Sequence, residues 1–489
     1  MSAKPIKRKL PIKQILTYVV MVTAIFIVVT FLTLFMFGFR LDSNNGNLEQ
    51  NALLMFDTKP SGATVSVDGT IVSAKTPNKK SVPAGKHDVV IWRDNYETWY
   101  KSVNLKAGTM TWLNYALLIP KKLTVEPVAN YDALYSSLAS PKGDDILIEK
   151  RSDLPVFDLV DISSNTIKTT SLTISSTLYS EPTAVGVVHS FNFDKWDEAG
   201  RYVLIKHTYN EKTEWLVLDT QNVNSTKNIT RLFDLAISDM EFSGTSGNIF
   251  YALESNDIRK LDLAAGTISK PLISDVINFG IYNDSNVITY VGNGKVGTNE
   301  KVVGVYREGD DGPSVLRTFT NSSDISLHIA TTNYFNANYV AIADGKKVDI
   351  LSGSYPNTTS DNANSMKTIA TYQTQKDIEK LTFSPTGEFV FTQSAADFAS
   401  YDLEYQKFTA STIEGTGDAF LLKWLDNNNL WSNRDGKLTI REFDGANIHT
   451  INPVLLGQDA TLTKNGRYLY SFNKSDTNYQ LQRVRMILP

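Results

Sequence analysis

An uninterrupted apolar stretch near the N-terminus limits what this chain can fold into. Residues 15–39 carry no charged side chain, and about 25 helical residues at ~1.5 Å each cover a hydrocarbon core of ~30 Å. An amphipathic helix of a soluble protein would show polar residues every third or fourth position, and the apolar segment of a cleaved signal peptide is only ~7–15 residues long. The stretch therefore predicts a single transmembrane helix over residues 15–39.

The charges that flank this stretch predict its orientation. Residues 1–14 hold five basic side chains, whereas Arg40 and Asp42 follow the stretch closely. Because basic flanks stay in the cytoplasm, we expect a cytoplasmic tail over residues 1–14, a short flexible linker over residues 40–51, and the rest of the chain outside the membrane. A cleaved signal peptide is the alternative, but no small-x-small cleavage motif follows the stretch.

The composition excludes several classes of protein. The net charge of −4 is opposite in sign to that of most nucleic-acid-binding surfaces, so we expect no nucleic-acid partner. The chain has no cysteine, which excludes disulfides and thiolate metal sites, and its stability must come from buried apolar area. An exported chain of this kind is typical of a bacterial cell surface.

Residues 52–120 consist of short alternating runs rich in Val, Ile, Trp and Tyr, separated by turn residues, which predicts β-strands. The region contains a set of turn and strand positions that together form a motif: Pro60, Gly62, Ala63, Asp68, Gly69, Thr76, Pro77, Gly85, Tyr96 and Gly108. On these positions the region resembles a PEGA domain, a small β-sandwich-like module named after a Pro-Glu-Gly-Ala signature, with Ser61 here in place of the Glu. The resemblance implies that these positions support the fold. It also implies that the domain serves outside the cytoplasm in adhesion or as a spacer, without enzymatic activity.

The same region concentrates large aromatic side chains, among them Trp92, Trp99, Tyr100 and Trp112. Such residues can form a face on which sugar rings stack. They can equally form the core of the domain, and we favour the core because about 70 residues supply little apolar area.

From residue 123 to 489 the sequence repeats one pattern, in which a small turn precedes an aliphatic strand. The turns lie at residues 140–143, 198–200, 246–247, 284–286, 336–338, 384–387, 426–429 and 464–466. Their spacing of roughly 40–55 residues is typical of four-stranded propeller blades. We therefore predict a β-propeller over residues 123–489, with eight blades, or seven. The Ser-Pro-x-Gly turns at 140–143 and 384–387 resemble TolB-type propellers, which implies a binding or docking platform.

The last repeat predicts how the propeller closes. The segment from 458 to 488 supplies only three strands, while LTVEPV at residues 123–128 is a strand without a repeat of its own. Pairing the two would remove both open edges of the array. We therefore predict that residues 123–128 form the outer strand of the last blade.

The sequence shows no set of residues typical of catalysis. The five histidines, at positions 87, 189, 207, 328 and 449, are scattered, without the spacing of a zinc motif. The Gly-x-Ser-x-Gly elbow of a linked hydrolase domain is absent. Acidic residues at 308–311 and around Asp426 do not match a twelve-residue calcium loop, and solvated loops are the favoured interpretation. We expect no catalytic residue, no metal and no cofactor.

These observations favour a mainly β protein with a signal anchor, a PEGA domain and a propeller. The leading hypothesis is a non-enzymatic cell-surface protein that contacts the lipid bilayer through residues 15–39 and binds envelope polysaccharide or another surface protein. The alternative is a glycan hydrolase or lyase with a carboxylate-lined channel, which two carboxylates roughly 5–10 Å apart in a deep cleft would favour. A purely structural spacer remains a third hypothesis.

Overall fold

The computed structural model of this chain describes residues 12–36, 38–41, 48–181, 188–244, 247–282, 287–295, 297–320, 326–356, 366–415, 422–475 and 477–489. The fold is mainly β, as the sequence predicts, and divides into two compact units, Met1–Lys122 and Leu123–Pro489. Most of the basic tail, the turn at 284–286 and Ser246 lie outside the described residues.

The first unit begins with helix α1 (Ile12–Met36), which has 25 residues and none of them buried. Among the described residues it is the helix that is long and apolar enough to cross a membrane. The helix starts and ends three residues earlier than the predicted span of 15–39. Its end is set by Gly38, which has a left-handed φ of +81° and donates its N–H to the Phe35 carbonyl (3.1 Å), a common way for a helix to stop.

The predicted linker at residues 40–51 contains regular structure. Strand β1 (Phe39–Leu41) pairs antiparallel with strand β2 (Leu48–Gln50). The described ends of the linker therefore lie side by side near the end of α1, while residues 42–47 lie outside the described residues.

Two sheets form the remainder of the first unit. Their strands are β3 (Ala52–Lys59), β4 (Thr64–Val67), β5 (Thr70–Ile71), β6 (Asn78–Val82), β7 (Gly85–Trp92), β8 (Trp99–Leu105) and β9 (Met110–Leu117). One sheet has the order β5-β4-β7-β8 and the other the order β6-β3-β9, in which β3 and β9 run parallel. Alternate residues of β3 and β7 are buried, which is the pattern of strands that cover a core on one side.

In the part of the chain that the structure describes, the second unit forms eight four-stranded sheets. The blades are numbered in chain order. Blade 1 contains β11 (Ser136–Ala139), β12 (Asp145–Glu149), β13 (Val156–Asp161) and β14 (Lys168–Thr173), and blade 2 contains β15 (His189–Trp196), β16 (Tyr202–Tyr209), β17 (Lys212–Asp219) and β18 (Lys227–Asn228). Blade 3 contains β19 (Ile237–Phe242), β20 (Ile249–Glu254), β21 (Asp257–Asp262) and β22 (Thr267–Ile268), and blade 4 contains β23 (Val276–Ile281), β24 (Val287–Asn293), β25 (Lys301–Arg307) and β26 (Ser314–Phe319). A short helix, α2 (Ile229–Phe233), follows β18.

The other four blades are built in the same way. Blade 5 contains β27 (Leu327–Tyr334), β28 (Ala337–Asp344), β29 (Lys347–Ser352) and β30 (Lys367–Gln373), and blade 6 contains β31 (Lys380–Phe383), β32 (Phe389–Ser394), β33 (Asp397–Asp402) and β34 (Lys407–Thr412). Blade 7 contains β35 (Lys423–Trp424), β36 (Asn429–Ser432), β37 (Lys437–Glu442) and β38 (His449–Pro453). Blade 8 contains β39 (Thr461–Leu462), β40 (Tyr468–Lys474) and β41 (Tyr479–Arg485) together with β10 (Val125–Tyr131). First strands of successive blades contact one another, such as β11 with β15 and β27 with β31, so they are the innermost strands.

Blade 8 closes the ring in the way the sequence predicts. Strand β10, from the start of the unit, pairs antiparallel with β41, and the sheet order is β10-β41-β40-β39. Side chains of blades 8 and 1 then share one buried cluster that includes Tyr470, Phe472, Ile146 and Ile148. The ring therefore has no open strand edge at the junction of its two ends.

Candidate functional site

Two histidines of blade 2 meet although 18 positions separate them in the sequence. His207 lies on β16 with Nε2 3.3 Å from Nδ1 of His189 on β15, and with Nδ1 3.2 Å from Oε2 of Glu214 on β17. The His207 ring is fully buried and is stacked between Phe191 and Tyr209, with centroid distances of 4.4 and 5.2 Å. This stacking fixes the ring plane, so the two nitrogen contacts are held in place.

The Glu214 carboxylate anchors this chain of contacts. It accepts hydrogen bonds from the Ser180 N–H (2.9 Å), the Ser180 hydroxyl (2.7 Å) and Arg231 Nε (3.1 Å). Burial raises the pKa of Glu214, but the Ser180 and His207 hydrogen bonds outweigh burial and bring the pKa below its usual value. Burial lowers the pKa of His207 in spite of the neighbouring carboxylate. At neutral pH the pair is therefore an ionised carboxylate beside a neutral imidazole.

These protonation states determine the direction of the hydrogen bonds. An ionised Glu214 only accepts, so His207 Nδ1 carries the proton and Nε2 accepts from His189 Nδ1. His189 lies at the partly exposed end of this chain of contacts. Such a relay can accept a proton or a hydrogen bond from a ligand. Among the described residues, no group of three His, Asp or Glu side chains is arranged to hold a metal ion.

The sequence contains a signal for the pair of His189 and His207, although their spacing does not match a zinc motif. His189 precedes the turn at residues 198–200 and His207 follows it, and the hairpin register pairs His207 with Phe191, two positions from His189. The other histidines have separate surroundings. His87 contacts Asp68, His328 lies 3.0 Å from the Ile378 carbonyl, and His449 lies on β38.

A second ionisable cluster lies on the innermost strands of blades 2 and 3. Lys195 Nζ is 2.6 Å from Glu241 Oε1 and 3.4 Å from Asp194 Oδ2. Burial raises the pKa of Glu241 and of nearby Asp239, while the carboxylates raise the pKa of Lys195 although burial opposes it. The Asp194 and Glu241 carboxylates approach one another as an acid–base pair would, but the Lys195 ammonium group contacts both of them.

The acidic loops have local partners. Glu308 contacts Lys260 and the Tyr251 hydroxyl, and Asp310 forms an ion pair of 3.0 Å with Arg307. Asp426 accepts hydrogen bonds from backbone N–H groups of its own turn at 2.8–2.9 Å. These acidic residues therefore have protein partners close to them in the fold.

The predicted PEGA motif residues occupy turns and buried contacts of the first unit. Asp68 and Gly69 have φ of +50° and +77° in the turn between β4 and β5. Asp68 also accepts hydrogen bonds from the Asp88 N–H (2.9 Å) and from His87 Nδ1 (2.5 Å). These two hydrogen bonds, the first more than the second, lower the pKa of Asp68. Thr76 Oγ1 lies 2.7 Å from Thr58 Oγ1 and accepts from the Ala63 N–H. The other motif positions include Gly62, Gly85 and Gly108, all with positive φ, Pro60 and Pro77 with cis bonds, and buried Tyr96.

The four aromatic residues, for which the sequence favours the core over a binding face, neither all belong to the core nor share one surface. Trp99 is only 2% exposed and belongs to the core, because alternate residues of a strand point to opposite sides of the sheet. Trp112 is 42% exposed but lies on β9, in the other sheet. Trp92 and Tyr100 remain together on adjacent strands, on the outer side of the β5-β4-β7-β8 sheet.

Trp92 and Tyr100 line a shallow depression of about 530 Å³. Its remaining lining residues are Val90, Arg93, Asp94, Asn95, Tyr96, Thr98 and Lys121. Arg93 is held in place by a hydrogen bond from Nη1 to the Ser61 carbonyl (2.8 Å) and lies over the Tyr96 ring. The depression therefore combines two aromatic rings with a charged and polar rim.

Comparison with known proteins assigns one part of the chain to a family. The PEGA domain family matches residues 52–119, so the first unit carries a PEGA domain. No curated protein sequence matches the chain.

Similar solved structures include an oligogalacturonate lyase in complex with manganese and the yeast heterotrimeric Nup82–Nup159–Nup116 nucleoporin complex. The lyase is 10% identical, with 75% of this chain and 98% of that chain covered and a TM-score of 0.39. The nucleoporin chain is 12% identical, with 65% of this chain and 97% of that chain covered and a TM-score of 0.38.

Proposed function

We propose that this chain is a membrane-anchored protein of the bacterial cell surface that binds envelope polysaccharide without catalysing a reaction. The helix α1 is the anchor, residues 1–14 lie in the cytoplasm, and the PEGA domain and the propeller lie outside. The observation that carries the binding role is the depression lined by Trp92 and Tyr100.

The chemistry of this depression suits a pyranose ring better than a protein surface. Aromatic faces pack against the C–H faces of sugars, while the hydroxyl groups around the ring need both donors and acceptors. Arg93 and Lys121 supply donors, and the Asp94 carboxylate supplies acceptors. A volume of about 530 Å³ lies within the ~300–1,000 Å³ range of small-ligand sites.

The propeller supports this role as a platform. Its loops collect at the two ends of a closed ring, where binding residues can vary without disturbing the sheets. The contacts from Glu214 through His207 end at the partly exposed His189, the first residue of β15.

Binding of defined glycans tests the proposal. The detergent-solubilised full chain is titrated with cellohexaose and with polysaccharide extracted from bacterial envelopes, using calorimetry. We expect Trp92→Ala and Tyr100→Ala each to weaken binding about tenfold, the equivalent of ~1.4 kcal/mol. Trp112→Ala on the other sheet is the matched control and should bind as the unmodified chain does. Binding that survives loss of both Trp92 and Tyr100 would contradict the proposed site.

A glycan hydrolase or lyase is the second candidate function. The observation in its favour is the pair Asp194 and Glu241, which approach one another around Lys195 on neighbouring innermost strands. Turnover of the same glycans is measured for the full chain and for Glu241→Gln. We expect no turnover from either, and a turnover that falls by several orders of magnitude in Glu241→Gln would favour the enzyme.

A further inference from the structure

Backbone hydrogen bonds join the end of helix α1 directly to the PEGA domain. The Asn51 N–H donates to the Gly38 carbonyl (2.9 Å), and the Gly108 N–H donates to the Asn51 carbonyl (3.1 Å). The next residue pair continues the contact, since the Leu53 N–H donates to the Thr109 carbonyl (2.9 Å). The helix end, the first strand of the domain and the turn at residues 106–109 are therefore one connected structure.

Two glycines permit this close approach. A Cβ atom on Gly38 would lie 3.3 Å from the Asn51 carbonyl oxygen, and φ there is +81°. A Cβ atom on Gly108 would lie 2.5 Å from the Gln50 side chain, and φ there is +71°. Both positions thus have a backbone conformation that favours glycine, and at Gly38 the neighbouring backbone also leaves little room for a side chain.

The length of α1 places this junction at the membrane surface. A helix of 25 residues is about 37 Å long, slightly more than the ~30 Å hydrocarbon core. When α1 spans the bilayer, its last turn reaches the headgroup region. Because the junction has no spacer, the end of the PEGA domain next to Asn51 is held at the same depth.

The side chains at this end are suited to lipid headgroups. The turns at residues 83–84 and 106–109 lie side by side, because Gly85 pairs with Leu105. They present exposed Lys86 and Lys106, and exposed Arg40 follows the helix with its guanidinium 5.1 Å from the Phe35 ring centroid. Exposed Glu49, opposite Arg40 in the β1–β2 pair, is an acidic group among the described residues of this hairpin, and Asp42 lies outside the described residues. Basic side chains beside a membrane span attract anionic headgroups.

We propose that the PEGA domain docks on the bilayer through this basic end and contacts the headgroups of anionic phospholipids. The inference rests on the proposed membrane anchor and adds a second membrane contact, made by a folded domain. It also sets the orientation of the domain, with the Trp92–Tyr100 depression at the opposite end of β7, away from the membrane. One strand of eight residues separates the two ends by roughly 25 Å.

Single-cysteine labelling tests this docking, because the chain has no cysteine of its own. The full chain is reconstituted in vesicles of phosphatidylcholine with 30% phosphatidylglycerol, and a fluorophore is attached at Ala107→Cys or, as control, at Asp94→Cys. A lipid with a spin label on its headgroup is the quencher. We expect quenching at Ala107→Cys to be at least threefold stronger than at Asp94→Cys. Equal, weak quenching at both positions would overturn the inference.

Charge variants test which lipid is recognised. Replacing both Lys86 and Lys106 by Gln should remove the extra quenching at Ala107→Cys that phosphatidylglycerol causes relative to pure phosphatidylcholine. The control Lys79→Gln, on β6, should keep it. Quenching that is the same with and without phosphatidylglycerol in the unmodified chain would overturn the role of anionic headgroups.

Flotation of the same vesicles separates the two proposals. A chain that floats with the vesicles but shows no quenching at Ala107→Cys retains its anchor, and only the docking is wrong. A chain that does not float lacks the anchor, and both the proposed function and the docking are then wrong.

Discussion

The two folded units bury polar side chains in different ways. In the described part of the first unit the buried polar residues are Thr58, Ser66, Thr76 and His87, while the propeller buries several ionisable side chains: Glu149, Asp158, Asp197, His207, Glu214, Asp219, Asp402, Arg441 and Glu442. Among the described residues of the small sandwich, the buried ionisable side chain is His87, which lies beside the half-exposed Asp68 carboxylate. A ring of blades has many interfaces between sheets, whose polar partners can satisfy buried charges. This difference predicts where each unit is most sensitive to substitution.

Removal of the last strand should have the largest effect. A chain that ends at Lys474 lacks β41, which pairs with β10 on one side and β40 on the other. We expect the propeller to lose its cooperative unfolding transition while the PEGA domain keeps its own, because only the ring depends on closure. Differential scanning calorimetry gives both transitions. A truncated chain whose melting is unchanged would show that ring closure does not stabilise the propeller.

Within the first unit, two tryptophans should respond very differently. Trp99 is buried, so Trp99→Ala should destabilise the PEGA domain by roughly 3–5 kcal/mol, the usual cost of emptying a large core position. Trp92 lines the surface depression, and Trp92→Ala should cost under about 1 kcal/mol. Urea unfolding of the full chain, followed by the protection of a cysteine at the fully buried position of Ala116→Cys in the PEGA domain, measures both. Similar losses for the two variants would mean that Trp92 is a core residue and not a binding residue.

Removal of the Glu214 carboxylate tests whether the propeller depends on its buried charges. Glu214→Ala leaves His207, Ser180 and Arg231 without their common acceptor, and we expect a loss of about 3 kcal/mol, as for other broken buried pairs. Asp153→Ala breaks the exposed pair with Arg151 and should cost ~0–1 kcal/mol. If chemical denaturation gives equal losses, the Glu214 network contributes no more than a surface ion pair.

A buried carboxylate should give the smallest effect, and one that depends on pH. Glu149 is fully buried, and burial raises its pKa to about 7 against a usual 4.5, although the Ser136 hydroxyl donates a hydrogen bond to it. The folded state thus holds this proton more tightly than the unfolded state. The ionised group destabilises the fold above pH 7, and this penalty is relieved as the pH falls from 7 toward 4.5.

Glu149→Gln should therefore raise the stability of the propeller at pH 8 by about 1–3 kcal/mol, with little effect near pH 4.5. Unfolding free energies at the two pH values measure this difference. Glu126→Gln, at a more exposed carboxylate of the same ring, is the control and should not raise the stability at pH 8. A stability gain that is equal at both pH values would contradict the assigned role of Glu149.

The sequence predicts the elements of the fold because they depend on local patterns. The apolar span, the turn-strand repeat and the unpaired strand near residue 125 each leave a periodic or compositional signal. The site depends on which residues face each other across strands, and single positions decide it. Trp99 and Tyr100 are neighbours in the sequence, yet one belongs to the core and the other to the surface. The hydrogen bond from Asn51 to Gly38 and the pairing of β1 with β2 leave no periodic signal in the sequence, because the segment between them is polar and irregular.

Labelling of intact bacterial cells tests the central claim, that the folded units are displayed outside the membrane on an N-terminal anchor. Val188 is 78% exposed on the propeller, and a Val188→Cys variant provides one accessible thiol. Ser2→Cys provides a thiol in the basic tail. A membrane-impermeant maleimide should label Val188→Cys in intact cells and Ser2→Cys only after lysis. Labelling of Ser2→Cys in intact cells, with Val188→Cys protected until lysis, would contradict the account.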